Sequence, residues 1–160
     1  MSEYKKPIPV PSAESQPYWD GLREQKLMMP RCDDCSSYWF PPSLLCPRCN
    51  SASWTWTKTS GRGRVFSYVV YHRVYHPGFA NEVPYTVALV ELEEGPRMIS
   101  NVIGIPSDKV VCDMPVQVVY EDINEAATLP KFTPRAVERR RRIGGPHRKT
   151  NAARGTTARR

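Results

Sequence analysis

Four cysteines constrain this chain more than any other feature of its sequence. Cys32, Cys35, Cys46 and Cys49 form two C-x2-C pairs separated by 10 residues, within the segment RCDDCSSYWFPPSLLCPRC. A C-x2-C turn points two thiolates at one ion, and two such turns that face each other build a tetrahedral tetrathiolate site. The spacing therefore predicts one bound metal ion per chain, and zinc is the expected metal.

The predicted zinc is structural, because four thiolates saturate the ion and leave no position for water or substrate. Iron in a rubredoxin-like site is the alternative and would make the chain an electron carrier. A rubredoxin needs little beyond its cysteine turns, whereas most of this chain lies outside them, which favours zinc. The sequence contains no G-x-G-x-x-G, P-loop or G-x-S-x-G motif. We therefore predict no catalytic residue, and we expect the chain not to be an enzyme on its own.

The fifth cysteine and two histidines give weaker signals. Cys112 lies in the apolar turn VVCDMP and is expected to be packed rather than reactive. His72 and His76 are four positions apart, on a predicted strand that runs into a loop. This placement favours two independent side chains over a pair of metal ligands.

The N-terminal sequence MSEYKKPIPVP has no apolar run before its prolines, so it does not read as a signal peptide. No window approaches about 18 consecutive apolar residues, so no membrane helix is expected. These features predict a cytoplasmic protein. In a reducing compartment, paired cysteines bind metals more often than they form disulfides.

The net charge of +7 is concentrated at one end of the chain. Residues 1–135 hold 14 Lys/Arg and 15 Asp/Glu, a net charge of −1, whereas residues 136–160 hold 9 Lys/Arg and 1 Asp/Glu, a net charge of +8. The segment 136–160 is almost free of apolar residues and is predicted to be a disordered basic tail. Nucleic-acid binding would have to depend on this tail, because the body is nearly neutral.

Hydrophobic patterning divides the chain into four parts. Residues 1–26 form a proline-rich extended arm and a helix that begins near Ser12 or Ser15 and ends at Gln25. Residues 27–58 form the zinc ribbon, and a predicted strand over 26–31 leads into its first cysteine pair. Residues 59–135 form a β domain, and residues 136–160 form the tail.

The β domain shows period-two patterning in several short runs. The predicted strands cover 64–74, 85–92, 97–103, 116–121 and a short 129–132, and 76–84 is a loop. The fold class is therefore mainly β with an N-terminal helix: a four-cysteine zinc ribbon followed by a small five-stranded OB-fold barrel. A β-sandwich is the alternative, because strand count alone does not separate the two.

Large aromatic residues surround the cysteine module in the sequence. Two interpretations are open for Trp19, Trp39, Trp54 and Trp56. Either they close the small ribbon core and its contact with the barrel, or they form an exposed face for a partner subunit. A body with a limited core leaves large apolar groups exposed, and such groups dominate interface energetics. The residues predicted to contact a partner are Tyr18, Trp19, Trp39, Phe40 and Phe79.

The order of helix, four-cysteine ribbon and barrel resembles a family of small zinc-ribbon plus OB-fold proteins associated with acyl-CoA metabolism. The matching segments are SQPYWDGLREQKL, CDDC…PPSLLCPRC, SGRGRVFSYVVYHRVYHPGF, PYTVALVELEEGPR and DMPVQVVYED, which span about residues 12–135. The chain departs from the family at Cys112 and Asp113, where members often have a residue followed by glycine. The resemblance therefore does not determine the conformation of this turn. The family has no standard counterpart of the RRRR run at 139–142.

The resemblance implies that the four cysteines bind zinc and that the chain is a non-catalytic partner of a thiolase-fold enzyme, either a thiolase or a lipid-transfer-protein-like aldolase. The partners of aldolases that cleave sterol side-chain CoA thioesters are the most similar. Such a partner would stabilise the catalytic subunit and help to form its acyl-CoA site, in steroid, lipid or aromatic catabolism. The resemblance also implies a heterotetramer of the chain with the catalytic subunit, and an enoyl-CoA hydratase as a further partner. Whether the chain contacts CoA directly is left open.

A nucleic-acid-binding OB module is the alternative function. Such folds bind single strands through a basic groove with stacking aromatic residues. Tyr68, Tyr71, Tyr85, Arg62 and Arg64 would supply these groups. The net charge of the body opposes this function, and nucleic acid is not the expected partner.

Overall fold

The computed structural model of the chain describes residues 4–124 and 127–136. One helix and seven strands follow in order: α1 (Gln16–Arg23), β1 (Met28–Cys32), β2 (Trp54–Lys58), β3 (Arg62–Tyr71), β4 (Tyr85–Leu92), β5 (Arg97–Asn101), β6 (Pro115–Asn124) and β7 (Ala127–Pro134). No helix in these residues is long and apolar enough to cross a membrane. The predicted basic tail lies outside the described residues, apart from Ala136.

Helix α1 begins where the sequence predicts and ends two residues earlier. Pro17 lies in its first turn, where the missing N–H costs no hydrogen bond. The helix ends at Arg23 because Gln25 adopts a left-handed conformation with a φ of 56°. Gly21 lets α1 approach the following strand closely, since a Cβ there would lie 2.4 Å from Cγ of Met28.

The zinc ribbon is held by an antiparallel pair of strands. β1 pairs with β2 from Met28 opposite Lys58 to Cys32 opposite Trp54. The sequence predicts β1, but β2 is absent from the predicted strands. The WTWTK pattern of β2 alternates large and small β-forming residues, which is the signal that indicates this strand.

The five remaining strands form one antiparallel sheet in the order β5-β4-β3-β6-β7. The two edge strands come together where Val102 forms a parallel bridge with Phe132, and the backbone N–H of Ile103 donates to the Phe132 carbonyl at 2.8 Å. A single sheet that closes on itself is a barrel rather than a sandwich. The predicted fold class, a mainly β chain with a four-cysteine ribbon and a five-stranded OB-fold barrel, is confirmed.

The helix, the ribbon and the barrel share one hydrophobic core. Leu22 of α1 and Met29 of β1 are fully buried in the same cluster as Val65, Val90 and Phe132 of the barrel. Full burial of each such side chain stabilises the fold by about 1.5–3 kcal/mol. The N-terminal elements are therefore part of the barrel's packing, and the metal centre is fixed in position relative to the barrel.

Candidate metal centre and partner surface

The four predicted cysteine ligands converge at one point. Their sulfurs all lie within 4.8 Å of one another. The Sγ of Cys32 is 3.6 Å from that of Cys49, and the Sγ of Cys35 is 3.6 Å from that of Cys46. Zinc–sulfur bonds of about 2.3 Å in a tetrahedron place the sulfurs about 3.8 Å apart. The cluster therefore has the dimensions of a tetrathiolate zinc site.

Two matching turns hold these sulfurs. In the first turn, the N–H of Ser36 donates to the Cys32 carbonyl at 3.0 Å, and in the second the N–H of Asn50 donates to the Cys46 carbonyl at 2.9 Å. Ser36 and Asn50 both adopt the left-handed conformation, with φ of 57° and 58°. Serine and asparagine at these two positions were not singled out from the sequence, although asparagine tolerates positive φ better than most residues.

The neighbouring groups give the four thiols different acidities. Hydrogen bonds from the side chain and backbone of Ser37 lower the pKa of Cys35 to about 6. The backbone of Ser51 lowers the pKa of Cys49, but the adjacent thiols, Cys35 foremost, and burial outweigh that effect and raise it to about 12. A bound divalent cation compensates the charge of neighbouring thiolates. The thiol set fits one zinc ion in a rubredoxin-like ribbon, and all four sulfurs are used, so the zinc is structural.

A second, smaller core surrounds the cysteines. Trp39 is buried beside Cys32 and Cys46, and Trp54 packs against it with ring centroids 5.8 Å apart. The indole N–H of Trp54 donates to the Leu44 carbonyl at 2.9 Å. Trp39 and Trp54 therefore close the ribbon core, whereas Trp19 and Trp56 are partly buried against the core shared with the barrel.

The residues predicted to contact a partner differ in exposure. Tyr18 and Trp39 are each only 5% exposed, so their side chains have little surface to offer a partner. Trp19, Phe40 and Phe79 are partly exposed. Tyr18 instead supports its neighbours, because its ring lies 5.2 Å from Trp19 and 5.3 Å from Phe40.

Two family models match the chain. The rubredoxin-like zinc ribbon domain of ChsH2 matches residues 19–55, and the C-terminal OB-fold domain of ChsH2 matches residues 56–121. A chain of the Ltp2–ChsH2(DUF35) aldolase superposes with a TM-score of 0.72 at 37% identity, over 79% of this chain and 98% of that chain. The chain belongs to the ChsH2/DUF35 family.

Curated ChsH2/DUF35 relatives fall into two kinds. A DUF35 domain-containing scaffold protein of Methanocaldococcus jannaschii is 32% identical over 67% of this chain and 77% of the relative. A probable enoyl-CoA hydratase alpha subunit of Thermomonospora curvata is 37% identical over 81% of this chain. The 3-oxo-4,17-pregnadiene-20-carboxyl-CoA hydratase alpha subunit of Mycobacterium tuberculosis is 38% identical over 71% of this chain. The chain spans 40% and 36% of the lengths of these two hydratase subunits.

The arginines that a nucleic acid would need are engaged within this DUF35 chain. Nε of Arg62 donates to Glu93 at 2.9 Å, and Nε of Arg64 donates to Glu91 at 2.8 Å. Hydrogen bonds from Arg97 and Arg64 lower the pKa of the Glu91 carboxyl below its usual value. Each of these arginines therefore already has a carboxylate partner within the chain.

The turn at Cys112 differs from the predicted one. Cys112 was expected to be packed, but it is exposed, because the core position is filled by Val110 and the chain then turns outward. Asp113 follows with a left-handed φ of 62°, and its carboxylate accepts from Nη1 of Arg64 at 2.7 Å. Asp113 thus takes the conformation that glycine adopts readily, and its ion pair with Arg64 contributes to holding it.

The two histidines are not brought together as ligands. His76 precedes a 3₁₀ turn over Pro77–Phe79, and its Nδ1 accepts from the Gly78 N–H at 3.1 Å. His72 is exposed after β3. Among residues 4–124 and 127–136, the four cysteines are the only group of three or more potential metal-binding side chains that converge.

Proposed function

We propose that this chain is a non-catalytic accessory subunit of a thiolase-superfamily aldolase or thiolase that acts on acyl-CoA thioesters in steroid or related lipid degradation. The observation that carries this proposal is the match to a chain of the Ltp2–ChsH2(DUF35) aldolase, which extends over 98% of that chain at 37% identity. The likeness covers 79% of this chain, and the two family models together match residues 19–121, so it extends well beyond the generic ribbon.

The chemistry of the chain supports a role in binding rather than turnover. Its zinc site uses four sulfurs and offers no open coordination position. The sequence carries no recognised nucleophile–base motif. Its contribution to the reaction is then to stabilise the catalytic subunit and to shape the entrance of the acyl-CoA site.

The names of the hydratase relatives support a second neighbour. In those proteins, the segment similar to this chain is part of an alpha subunit that is more than twice as long as the segment itself. We propose that an enoyl-CoA hydratase also assembles with this chain, so that the hydration and carbon–carbon cleavage steps occur in one complex. Direct contact of this chain with CoA is part of the same proposal.

A nucleic-acid-binding function is the weaker alternative. It draws on the OB fold and on the arginines of the tail. The pairing of Arg62 with Glu93 and of Arg64 with Glu91 and Asp113 opposes it, because phosphates would have to compete with carboxylates already in place.

Co-expression of the full chain with its cognate thiolase-fold subunit tests the proposed function. The expected result is a stable complex of two copies of each chain by light scattering, since a symmetric catalytic dimer presents each surface twice. Retro-aldol or thiolytic turnover of acyl-CoA should appear only in the complex, and the isolated chain should show none. If no complex forms and residues 1–135 bind single-stranded DNA or RNA with micromolar affinity, the accessory-subunit function is rejected and the nucleic-acid-binding function is supported.

A further inference from the structure

One continuous apolar surface crosses the OB barrel and reaches the helix and the ribbon. On one side of β5, a groove of about 740 Å³ is lined by residues of β3, β4, β5 and the loop before β4. On the other side, a groove of about 280 Å³ is lined by residues of α1, the ribbon and β7. The two grooves share Ile99, Ser100 and Asn101. We call this the β5 surface and define it by Trp19, Phe40, Tyr75, Phe79, Tyr85 and Ile99.

The β5 surface exposes large side chains that a folded chain usually buries. Ile99, at its centre, is 72% exposed, and so is Tyr75 at its loop end. The surface also brings together three residues that the sequence predicts as partner contacts, namely Trp19, Phe40 and Phe79. They are far apart in sequence, but they lie around β5.

Three cations at the rim of the β5 surface are neutralised within the chain. Lys6 forms an ion pair with Glu82, Lys131 with Glu121, and Arg97 with Glu91. Arg73 lies instead over the Tyr75 ring, 5.8 Å from its centre. A polyanion gains most from several unpaired cations, so a nucleic acid or an acidic lipid surface is poorly complementary to this rim. The chain's own segment 137–160 is not complementary either, because it holds 9 Lys/Arg and few apolar residues.

Part of the β5 surface is already held in a fixed arrangement. The Phe79 and Tyr85 rings stack with centroids 5.2 Å apart, and Tyr71 stacks on Tyr85 at the same distance. The ammonium of Lys6, from the N-terminal arm, lies 4.9 Å from the centre of the Phe79 ring. Rings that are ordered before binding lose less entropy when a partner docks, which favours specific protein association.

We infer that the β5 surface is the docking site for the thiolase-fold catalytic subunit, through an apolar and charge-poor patch of that subunit. This inference rests on the proposed function. A specific interface buries about 800 Å² on each partner. An interface of that size needs contributions from several elements, and the β5 surface, which extends from Tyr75 across Ile99 to Trp19, combines the barrel, the helix and the ribbon.

The test places a charge at the centre of the β5 surface in the full chain. Ile99→Glu is co-expressed with the cognate thiolase-fold subunit, and Val111→Glu serves as the matched control, because Val111 is 53% exposed and lies outside the β5 surface. Tyr75→Ser is a second, uncharged variant at the loop end. Zinc content and melting temperature are measured for each isolated variant, and the dissociation constant is measured with the purified catalytic subunit.

We expect Ile99→Glu, at the centre of the surface, to weaken binding at least about 30-fold, and Tyr75→Ser, at its loop end, to weaken it about 10-fold. Val111→Glu should bind within about threefold of the wild type, and all variants should keep one zinc. Wild-type affinity of Ile99→Glu would overturn the inference and leave the proposed function intact. Failure of the wild type to bind any thiolase-fold subunit would overturn both. A wild-type dimer that Ile99→Glu converts to a monomer would assign the surface to a second copy and overturn the inference.

Discussion

Ser36 and Asn50 occupy equivalent positions in the two halves of the metal centre. Each follows the second cysteine of its pair, each has a left-handed φ, and each donates its N–H to the carbonyl of the first cysteine of its pair. The ribbon therefore presents its two pairs of sulfurs through two copies of the same turn.

This equivalence predicts the effect of β-branched residues at the two turns. Ser36→Val and Asn50→Val should each destabilise the ribbon by about 1–2 kcal/mol, because β-branched side chains tolerate the left-handed conformation poorly. Ser36→Gly and Asn50→Gly are the matched controls and should keep wild-type stability. Chelator competition measures zinc retention in each variant, and thermal unfolding measures its stability. Equal zinc retention in the valine and glycine variants would show that the turn conformation is not limiting.

Loss of a ligand should have a much larger effect than strain in a turn. Cys46→Ser removes a fully buried sulfur from the cluster, and zinc contributes on the order of 10 kcal/mol to the folding of small zinc modules. We expect an insoluble chain or a ribbon without zinc, as measured by metal analysis and circular dichroism. Cys112→Ser is the control, because Cys112 is exposed and outside the cluster, and it should keep one zinc. A folded Cys46→Ser chain without metal that still binds its partner would contradict a structural zinc.

The N-terminal arm should detach when Gly78 acquires a side chain. A Cβ at Gly78 would lie 2.8 Å from the Lys5 carbonyl oxygen, so Gly78→Ala must displace the arm. We expect faster hydrogen exchange across residues 4–7 and a loss of about 1–3 kcal/mol in the free energy of unfolding, as for other overpacked sites. Lys6→Ala, which removes the contacts with Glu82 and Phe79, should reproduce the faster exchange. Unchanged exchange in both variants would show that these contacts do not hold the arm.

The Glu91 carboxylate should make stability depend on pH in the acidic range. Hydrogen bonds from Arg97 and Arg64 lower the pKa of Glu91 in the folded chain. The carboxylate therefore contributes its full stabilisation above the pKa that Glu91 has in the unfolded chain, and this stabilisation is lost as the pH falls through the lowered pKa of the folded chain. Glu91→Gln should therefore reduce stability at neutral pH and flatten the acid side of the melting-temperature profile. Asp108→Asn, which removes an exposed carboxylate paired with adjacent Lys109, is the control. A profile for Glu91→Gln parallel to the wild type would refute the assignment.

Much of the fold follows from local sequence signals. The cysteine spacing identifies the metal cluster, and period-two patterning identifies the barrel strands, although β7 extends over Ala127–Pro134 rather than the short predicted run. β2 is absent from the predicted strands because its alternation of tryptophan and threonine covers only five residues, Trp54–Lys58, and its pairing with β1 is set by the folding of the ribbon between them.

Features that depend on distant packing could not be predicted. Burial of Tyr18 and Trp39 depends on how α1 and the ribbon fold against the rest of the chain, which no local pattern encodes. The exposure of Cys112 depends on which neighbour, here Val110, fills the core. Asp113 stands where family members often have glycine, and the sequence does not show how it is held there. Its partner is Arg64, which lies 49 positions earlier in the chain.

Strand β1 belongs to two structures at once. Met29 is fully buried in the core shared with the barrel, and three residues later Cys32 is fully buried as a metal ligand. Five residues of strand cannot loosen at one end without disturbing the other, so metal affinity and barrel rigidity are thermodynamically linked, and linkage acts equally in both directions. If a partner binds the zinc-loaded chain more tightly than the metal-free chain, it raises the affinity of the chain for zinc by the same factor, and loss of zinc lowers the affinity for that partner.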